Sequence, residues 1–105
     1  IIKGGENISP REIDDVLYRH KMVMEAAAFP LPDDHYGQTV AAAIAPRPGE
    51  NVPESELRKL CLDAVGEYRS PTNYFFLNEL PKGPSGKIQR LKLTDQYSDL
   101  NYKVE

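Results

Sequence analysis

The 105 residues of the chain suffice for one domain and hardly for two, since a typical domain takes roughly 100 to 200 residues. The 13 Lys and Arg against 16 Asp and Glu leave a net charge of −3, which argues against a nucleic-acid binder because such proteins concentrate cationic side chains. Hydrophobic residues make up 40% of the chain and no apolar run approaches the roughly 18 residues that cross a bilayer, so we expect one soluble globular domain without a membrane span.

The chain opens on a short predicted β-hairpin. Ile1 to Lys3 reads as a strand end, and Gly4 and Gly5 after it as a tight loop, because glycine accepts positive φ at no steric cost. Two adjacent glycines also let another backbone or a ligand come close.

A helix is predicted next, from Pro10 to about His20. Ser9 precedes it and Glu12 stands in its first turn, a capping box in which the hydroxyl and the carboxylate satisfy backbone amides of the helix start. Its apolar side chains form one stripe toward a core, whereas its charged side chains are expected to face water. The apolar side chains are Ile13, Val16 and Leu17. The charged side chains are Arg11, Asp14, Asp15 and Arg19.

Two alanine-rich apolar runs follow, from Val23 to Phe29 and from Thr39 to Ile44. Both are short and end at turn-forming residues, which favours strands. Alanine has a poor intrinsic preference for strands, so a helix stays possible for either run. The turn formers that bound them are Pro30, Pro32, Asp33 and Asp34 on one side and Pro46, Pro48 and Gly49 on the other.

The C-terminal half is predicted to hold a helix, a strand and a helix. The first begins at Asn51 or Val52 and ends at Gly66, a residue typical of helix C-termini. The aromatic-rich run 73 to 77 reads as a strand, and a last helix covers 88 to about 100. The sum is an α+β fold: a small mixed β-sheet with about three packed helices, preceded by a short β-hairpin, in the order β-β-α-β-β-α-β-α.

The segment between Leu80 and Thr94 carries the strongest functional signal, since it holds four cations and no anion in a chain that is acidic as a whole. Gly83 and Gly86 free its backbone. Lys87 is expected at the entrance to the last helix, where amide hydrogens and the helix dipole favour anions, so it could clamp a phosphate or a carboxylate. An ordinary solvated basic loop is the alternative, and the spacing does not match the known phosphate-binding loop. The four cations are Lys82, Lys87, Arg90 and Lys92.

Weaker signals lie elsewhere. Gly4-Gly5-Glu6-Asn7 combines bare backbone with hydrogen-bonding side chains, which suits either a ligand contact or a polar turn. Tyr68 and Arg69 could stack on and charge-pair with a nucleotide, or form a surface connection. Asp33-Asp34-His35 has metal-type ligands, but adjacent side chains rarely converge, so we predict a solvated turn and no metal site. Cys61 lies on an apolar helix face, which indicates packing rather than a nucleophile.

Together these segments resemble one family. IIKGGENISPREID is similar to the first signature motif of the C-terminal domain of adenylate-forming enzymes, and LPKGPSGKIQR is similar to its last. FPLPDDHYGQ and YRSPTNYFFLNELP resemble the stretches between them, so the resemblance covers nearly the whole chain. Acyl- and aryl-CoA synthetases of this superfamily commonly carry the GGEN form, whereas nonribosomal-peptide adenylation domains and luciferases usually differ there. The resemblance therefore favours a CoA ligase.

The resemblance implies that residues 1–105 form the small C-terminal lid domain of an AMP-forming acyl-CoA synthetase whose large N-terminal domain is absent from this sequence. The complete enzyme would join a carboxylate to ATP with Mg²⁺, release pyrophosphate and pass the acyl group from acyl-AMP to the thiol of CoA. ATP, Mg²⁺ and CoA would bind to the full-length enzyme and none of them to this fragment, which should be inactive alone. Its partners would be its own N-terminal domain and these small molecules, without nucleic acid.

The resemblance also implies roles for single residues. Lys87 would match the lysine that contacts the carboxylate and the nucleotide during adenylation. Gly4-Gly5-Glu6-Asn7 would line the channel for the pantetheine arm of CoA after the small domain rotates. The remaining candidates are Gly83 and Gly86 as supports of the lysine loop, and Tyr68 and Arg69 as nucleotide contacts.

Two other functions stay open: an adenylation domain that loads a carrier protein, and a noncatalytic module that holds an anionic partner with the basic segment. The lone Cys61 cannot form an internal disulfide and no secretory leader is visible, which predicts a cytoplasmic protein. Because Ile1 reads as the middle of a patterned element, we expect the chain to be a piece of a longer protein.

Overall fold

The computed structural model describes the backbone of residues 1–103 and the side chains of residues 1–98. Its elements follow the predicted order, and the predicted α+β class is confirmed. The elements are β1 (Ile2–Lys3), β2 (Glu6–Asn7), α1 (Pro10–Leu17), β3 (Val23–Asp33), β4 (Gly37–Pro46), α2 (Glu54–Val65), β5 (Asn73–Phe76) and α3 (Arg90–Lys103).

A mixed three-stranded sheet in the order β3-β4-β5 divides the molecule into two layers. β3 and β4 form a long antiparallel hairpin, whereas β4 and β5 run parallel because the connection between them crosses over through α2. α1 and α2 pack on one face of this sheet, and α3 packs on the other. β1 and β2 form a separate antiparallel hairpin.

The alanine-rich runs are strands, as predicted. Successive side chains along them point to opposite faces, and both faces are covered by helices, so the runs show no alternation of apolar and polar residues. Ala26, Ala28, Val40, Ala42 and Ile44 belong to the cluster under α1 and α2, and Ala27, Phe29, Leu31, Ala41, Ala43 and Ala45 belong to the cluster under α3. The small alanine side chains allow close approach of helices on both sides.

β3 continues through Pro30 and Pro32 to Asp33, so its predicted end at Phe29 is wrong. It lies at the edge of the sheet, and an edge strand tolerates proline because the missing N–H leaves no neighbour unpaired on the outer side. The hairpin of β3 and β4 therefore continues through both prolines instead of ending at them.

The start of α1 differs from the predicted capping box. Ser9 occupies the N-cap position without a side-chain hydrogen bond to the helix, and the Glu12 carboxylate pairs instead with Arg69, with 3.0 Å between Oε1 and Nη1. α1 ends at Leu17 rather than near His20, whose amide donates to the Leu17 carbonyl in a tighter turn. The ion pair between Glu12 and Arg69 thus forms in place of the predicted capping box.

Asp14 corrects a second expectation for α1, because its side chain is buried rather than facing water. Its Oδ1 accepts a hydrogen bond from the Ala28 amide at 2.7 Å. The carboxylate also meets the guanidinium of Arg90, the first residue of α3.

The last elements agree with the predicted ones to within a few residues. α2 begins at Glu54 and is closed by Gly66, which has φ of 85°, and α3 begins at Arg90 rather than residue 88. In the described part of the chain, no helix has the length and apolar character that crossing a bilayer requires.

Candidate functional site

The basic segment folds into a closed hairpin, residues 81–89, which we call the lysine hairpin. The Gly83 amide donates to the Lys87 carbonyl at 2.9 Å, the Gly86 amide to the Gly83 carbonyl at 3.0 Å, and the Gln89 amide to the Pro81 carbonyl at 2.9 Å. Gly86 has φ of 83°, as expected where a tight hairpin turn ends in a left-handed residue. Backbone bonds across both arms therefore hold this segment in one shape.

Lys87 is the cation that the lysine hairpin leaves free. Its side chain is exposed and contacts no partner among side chains 1–98. The two cations that flank it are engaged, because Lys82 pairs with Glu25 and Arg90 pairs with Asp14, whereas Lys92 is exposed on α3. Since α3 begins only at Arg90, the predicted position of Lys87 at the helix entrance is wrong. Lys87 instead stands on an arm of the hairpin, exposed to solvent.

The two glycines of the lysine hairpin support it in different ways. A Cβ at Gly83 would lie 2.6 Å from Nε2 of the flexible Gln89 side chain, so the side chain of the neighbouring arm covers this position. Gly86 has open space around it and is glycine because of its positive φ.

Lys82 anchors the first arm of the lysine hairpin. Its ammonium lies 2.7 Å from Glu25 Oε2 and 3.6 Å from Glu79 Oε1. The hydrogen bond to Glu25 raises the pKa of Lys82 above its ordinary value, so the ammonium is held in its charged form.

The segment Gly4-Gly5 turns the first hairpin, residues 2–7, which we call the glycine hairpin. Gly4 and Gly5 have φ of 54° and 88°, the pair of positive values that a tight two-residue hairpin turn requires. A Cβ at Gly4 would lie 2.4 Å from the Tyr68 hydroxyl oxygen, whereas a Cβ at Gly5 would meet nothing within 4 Å. Tyr68 therefore occupies the space that a side chain at Gly4 would need, whereas Gly5 presents bare backbone to its surroundings.

Lys3 holds the glycine hairpin in place, a role that sequence reasoning missed. Its side chain is 5% exposed, and its ammonium donates to the Tyr68 carbonyl at 2.8 Å while lying 4.3 Å from the centre of the Tyr68 ring and 4.9 Å from that of Tyr36. The Tyr68 hydroxyl donates back to the Lys3 carbonyl at 2.8 Å. Two aromatic rings and a carbonyl thus stabilise this buried cation. The only signal in the sequence was a lysine beside two glycines.

Arg69 joins the glycine hairpin to α1. Its Nη1 lies 3.0 Å from Glu12 Oε1, and its Nε lies 3.2 Å from Glu6 Oε2 without the alignment of a hydrogen bond. Tyr68 and Arg69 are therefore brought beside Gly4 and Glu6, and their bonds support the glycine hairpin. Asn7 lies next to them in β2 and is exposed.

The two hairpins belong to opposite layers of the molecule. Ile8, which follows the glycine hairpin, packs in the cluster under α1 and α2, whereas Leu80 and Ile88 at the base of the lysine hairpin pack in the cluster under α3. The structure thus groups the predicted residues into two sites: Gly4, Gly5, Glu6, Asn7, Tyr68 and Arg69 form one, and Gly83, Gly86 and Lys87 form the other.

Two weaker signals have structural explanations. Asp33 Oδ2 accepts the amides of His35 at 3.0 Å and Tyr36 at 2.7 Å, which makes this segment a turn stabilised by its own side chain. Within the described residues no three His, Cys, Asp or Glu side chains converge as metal ligands would. Cys61 is buried, and this burial raises the pKa of its thiol, which disfavours the reactive thiolate.

Comparison with known proteins identifies the family of this chain. The family model described as "AMP-binding enzyme C-terminal domain" matches residues 12–87. The chain therefore belongs to the family of C-terminal domains of AMP-binding, adenylate-forming enzymes.

The curated relatives of the chain include CoA ligases of this superfamily. The chain is 53% identical over 93 residues to sulfoacetate–CoA ligase of Cupriavidus necator, an alignment that covers 89% of this chain and 18% of that protein. It is 40% identical over 98 residues to oxalate–CoA ligase of Saccharomyces cerevisiae, covering 93% of this chain and 18% of that one. The chain thus spans about a fifth of the length of these relatives.

Solved structures agree in fold. A fatty acyl CoA synthetase of Mycobacterium tuberculosis superposes with a TM-score of 0.86 at 35% identity, over 95% of this chain and 20% of that chain. The o-succinylbenzoate CoA synthetase of Bacillus subtilis, in complex with an acyl-adenylate intermediate, gives 0.82 at 34% identity, over 90% of this chain and 19% of the other.

Proposed function

We propose that this chain is the C-terminal lid domain of a larger ATP-dependent acyl-CoA synthetase. The complete enzyme joins a carboxylate to ATP, releases pyrophosphate and passes the acyl group from acyl-AMP to the thiol of CoA. In this proposal the N-terminal domain, which lies outside this sequence, holds the ATP, the carboxylate and any Mg²⁺. The names of the relatives support ligation to CoA, since those given above are all CoA ligases or synthetases.

The observation that carries the proposal is the free ammonium of Lys87 on a closed hairpin. Adenylation brings a carboxylate against the triphosphate of ATP, and these two anions repel. A positive charge about 4 Å from an anion contributes roughly 4 kcal/mol at an effective dielectric of about 20. Lys87 can supply that charge because its neighbours Lys82 and Arg90 are paired with carboxylates, whereas it is not.

The glycine hairpin serves the second half-reaction in this proposal. After adenylation the lid rotates, which withdraws Lys87 and brings Gly4-Gly5-Glu6-Asn7 to the channel for the pantetheine arm. Open space at Gly5 supports this role, because a thin arm can pass close to a backbone that carries no side chain. Tyr68 and Arg69 support the shape of this hairpin and border it as candidate nucleotide contacts.

The test uses the full-length enzyme that carries this domain. Lys87→Ala should slow acyl-AMP formation, measured as pyrophosphate released in a single turnover, by about 10² or more, in line with the loss of one preorganised charge. Thioester formation from premade acyl-AMP and CoA should continue. Lys59→Ala is the matched control, since Lys59 is an exposed lysine of α2 whose side chain is 79% accessible. Adenylation at the wild-type rate in Lys87→Ala would refute the role of Lys87.

The same enzyme distinguishes the other two functions. If CoA fails to accept the acyl group while a carrier protein accepts it, the chain belongs to a carrier-loading adenylation enzyme. If no carboxylate supports pyrophosphate release from ATP, the chain is a noncatalytic module. A cytoplasmic location is part of the proposal and rests on the sequence alone.

A further inference from the structure

The base of the lysine hairpin is tied to β3 and α1 by two carboxylates, Glu25 of β3 and Asp14 of α1. Each arm ends in a cation, Lys82 on the first and Arg90 just beyond the second. Lys82 pairs with Glu25 of β3, and Arg90 bonds to the Ala28 carbonyl of the same strand at 2.8 Å. Both ends of the hairpin therefore bond to residues 25–28 of β3.

The attachment at Arg90 is a fork. Its Nη2 lies 2.6 Å from Asp14 Oδ2, and its Nη1 lies 3.1 Å from Asp14 Oδ1. Asp14 Oδ1 also accepts the Ala28 amide at 2.7 Å, so the pair satisfies both backbone groups of Ala28 on the open edge of the sheet. The Asp14 side chain is 13% exposed, and such a bidentate pair fixes direction as well as distance.

The attachment at Lys82 also uses both oxygens of its carboxylate. Glu25 Oε2 lies 2.7 Å from the Lys82 ammonium, and Oε1 accepts the Leu80 amide at 3.4 Å. The Glu25 side chain is 18% exposed, and Leu80 is buried in the cluster under α3. The first arm is therefore held by charge, by a backbone bond and by packing.

We infer that Asp14 and Glu25 are positioning residues for Lys87, which act on adenylation by fixing the lysine hairpin against β3. This inference rests on the proposed function. A lysine side chain is long and flexible, so the place that its ammonium reaches depends on where its backbone is held. A displacement of about 1 Å at a reacting centre can lower a rate by about 10², and the two attachments prevent such a displacement.

The experiment compares neighbouring carboxylates of α1 in the full-length enzyme. Asp14→Asn should lower kcat for acyl-AMP formation about tenfold or more with little change in KM for ATP, while thioester formation from premade acyl-AMP stays near the wild-type rate. Asp15→Asn removes the same charge one residue away, on the exposed side of the helix, and should leave both half-reactions unchanged. Equal losses in both half-reactions for Asp14→Asn would overturn the inference, because they indicate general damage.

A double-mutant cycle identifies the residue through which the carboxylates act. In a Lys87→Ala background, Asp14→Asn should cause no further loss of adenylation, because the positioned group is already gone. A second tenfold loss there would overturn the inference. Glu25→Gln, which keeps the shape of the side chain, repeats the same cycle should Asp14→Asn fail to fold. If Lys87→Ala adenylates normally, the proposed function fails first; if Lys87→Ala is slow while Asp14→Asn and Glu25→Gln are both normal, only this inference fails.

Discussion

The glycine hairpin and the lysine hairpin combine glycine and lysine in opposite ways. In the glycine hairpin Lys3 is 5% exposed and locked between two aromatic rings, and the backbone at Gly5 is left open. In the lysine hairpin the glycines are internal supports, and Lys87 is left open. One hairpin thus presents bare backbone and the other presents a charge, as expected if a thin chain meets the first and an anion meets the second.

The largest expected effect on stability comes from adding a side chain at Gly4, on the side of the glycine hairpin that faces Tyr68. Gly4→Ala forces an alanine into the left-handed region, which costs about 1 kcal/mol. It also places a Cβ 2.4 Å from the Tyr68 hydroxyl, so that group must move and lose its bond to the Lys3 carbonyl, which costs about 1 kcal/mol more. With the lost packing we expect the free energy of unfolding, measured in urea, to fall by about 3 kcal/mol.

Two variants sharpen this result. Gly5→Ala adopts the same backbone region in open space and should cost only about 1 kcal/mol. In Gly4→Ala/Tyr68→Phe the clashing hydroxyl is absent, so the double variant should lose less than the sum of its single substitutions. Strict additivity would show that the contact with Tyr68 does not limit Gly4.

A smaller effect should follow from filling the open side of the glycine hairpin. Gly5→Leu adds a side chain where nothing lies within 4 Å, so the domain should fold. In the full-length enzyme we expect transfer of the acyl group to CoA to slow about tenfold, or about 1.4 kcal/mol, while adenylation stays within twofold. Stopped-flow measurement of each half-reaction checks the split.

The matched control for Gly5→Leu lies at the turn between β4 and α2. Gly49 has φ of 77° and, like Gly5, has nothing within 4 Å of a Cβ built on it. Gly49→Leu therefore carries the same backbone strain away from both hairpins and should leave both half-reactions unchanged. An equal loss in the two half-reactions for Gly5→Leu would contradict the channel role.

The parts of this fold that were predictable are those set by local chemistry. The Gly4-Gly5 pair predicted the first hairpin, and the turn residues between the apolar runs predicted the order of elements, although Pro30 and Pro32 misplaced the end of β3. Lys87 stood out because a run of cations in an acidic chain is itself a local feature.

The parts that were not predictable depend on partners far along the chain. Asp14 looked solvent-facing because a lone carboxylate on a helix normally is, yet its partner Arg90 lies 76 residues away. Lys3 was predicted only to lie at a strand end, yet it is bonded to Tyr68, 65 residues away. The capping box failed for the same reason, since Arg69 takes the Glu12 carboxylate. From a local sequence pattern a charged side chain is predicted to face water. It becomes buried only where the fold brings a bonding partner from a distant part of the chain.

The smallest expected effect on stability separates the two lysines most clearly. Lys87→Met should change the free energy of unfolding by no more than about 0.5 kcal/mol, because the Lys87 side chain is exposed and contacts no partner within side chains 1–98. Lys3→Met should cost more, since it leaves the Tyr68 carbonyl without its donor and removes the charge from both rings. A residue that contributes almost nothing to the fold, yet whose loss slows adenylation about 10²-fold, is present for the reaction alone. If urea unfolding instead gave equal losses for Lys87→Met and Lys3→Met, Lys87 would be part of the structural framework, and the contrast between the two hairpins would be wrong.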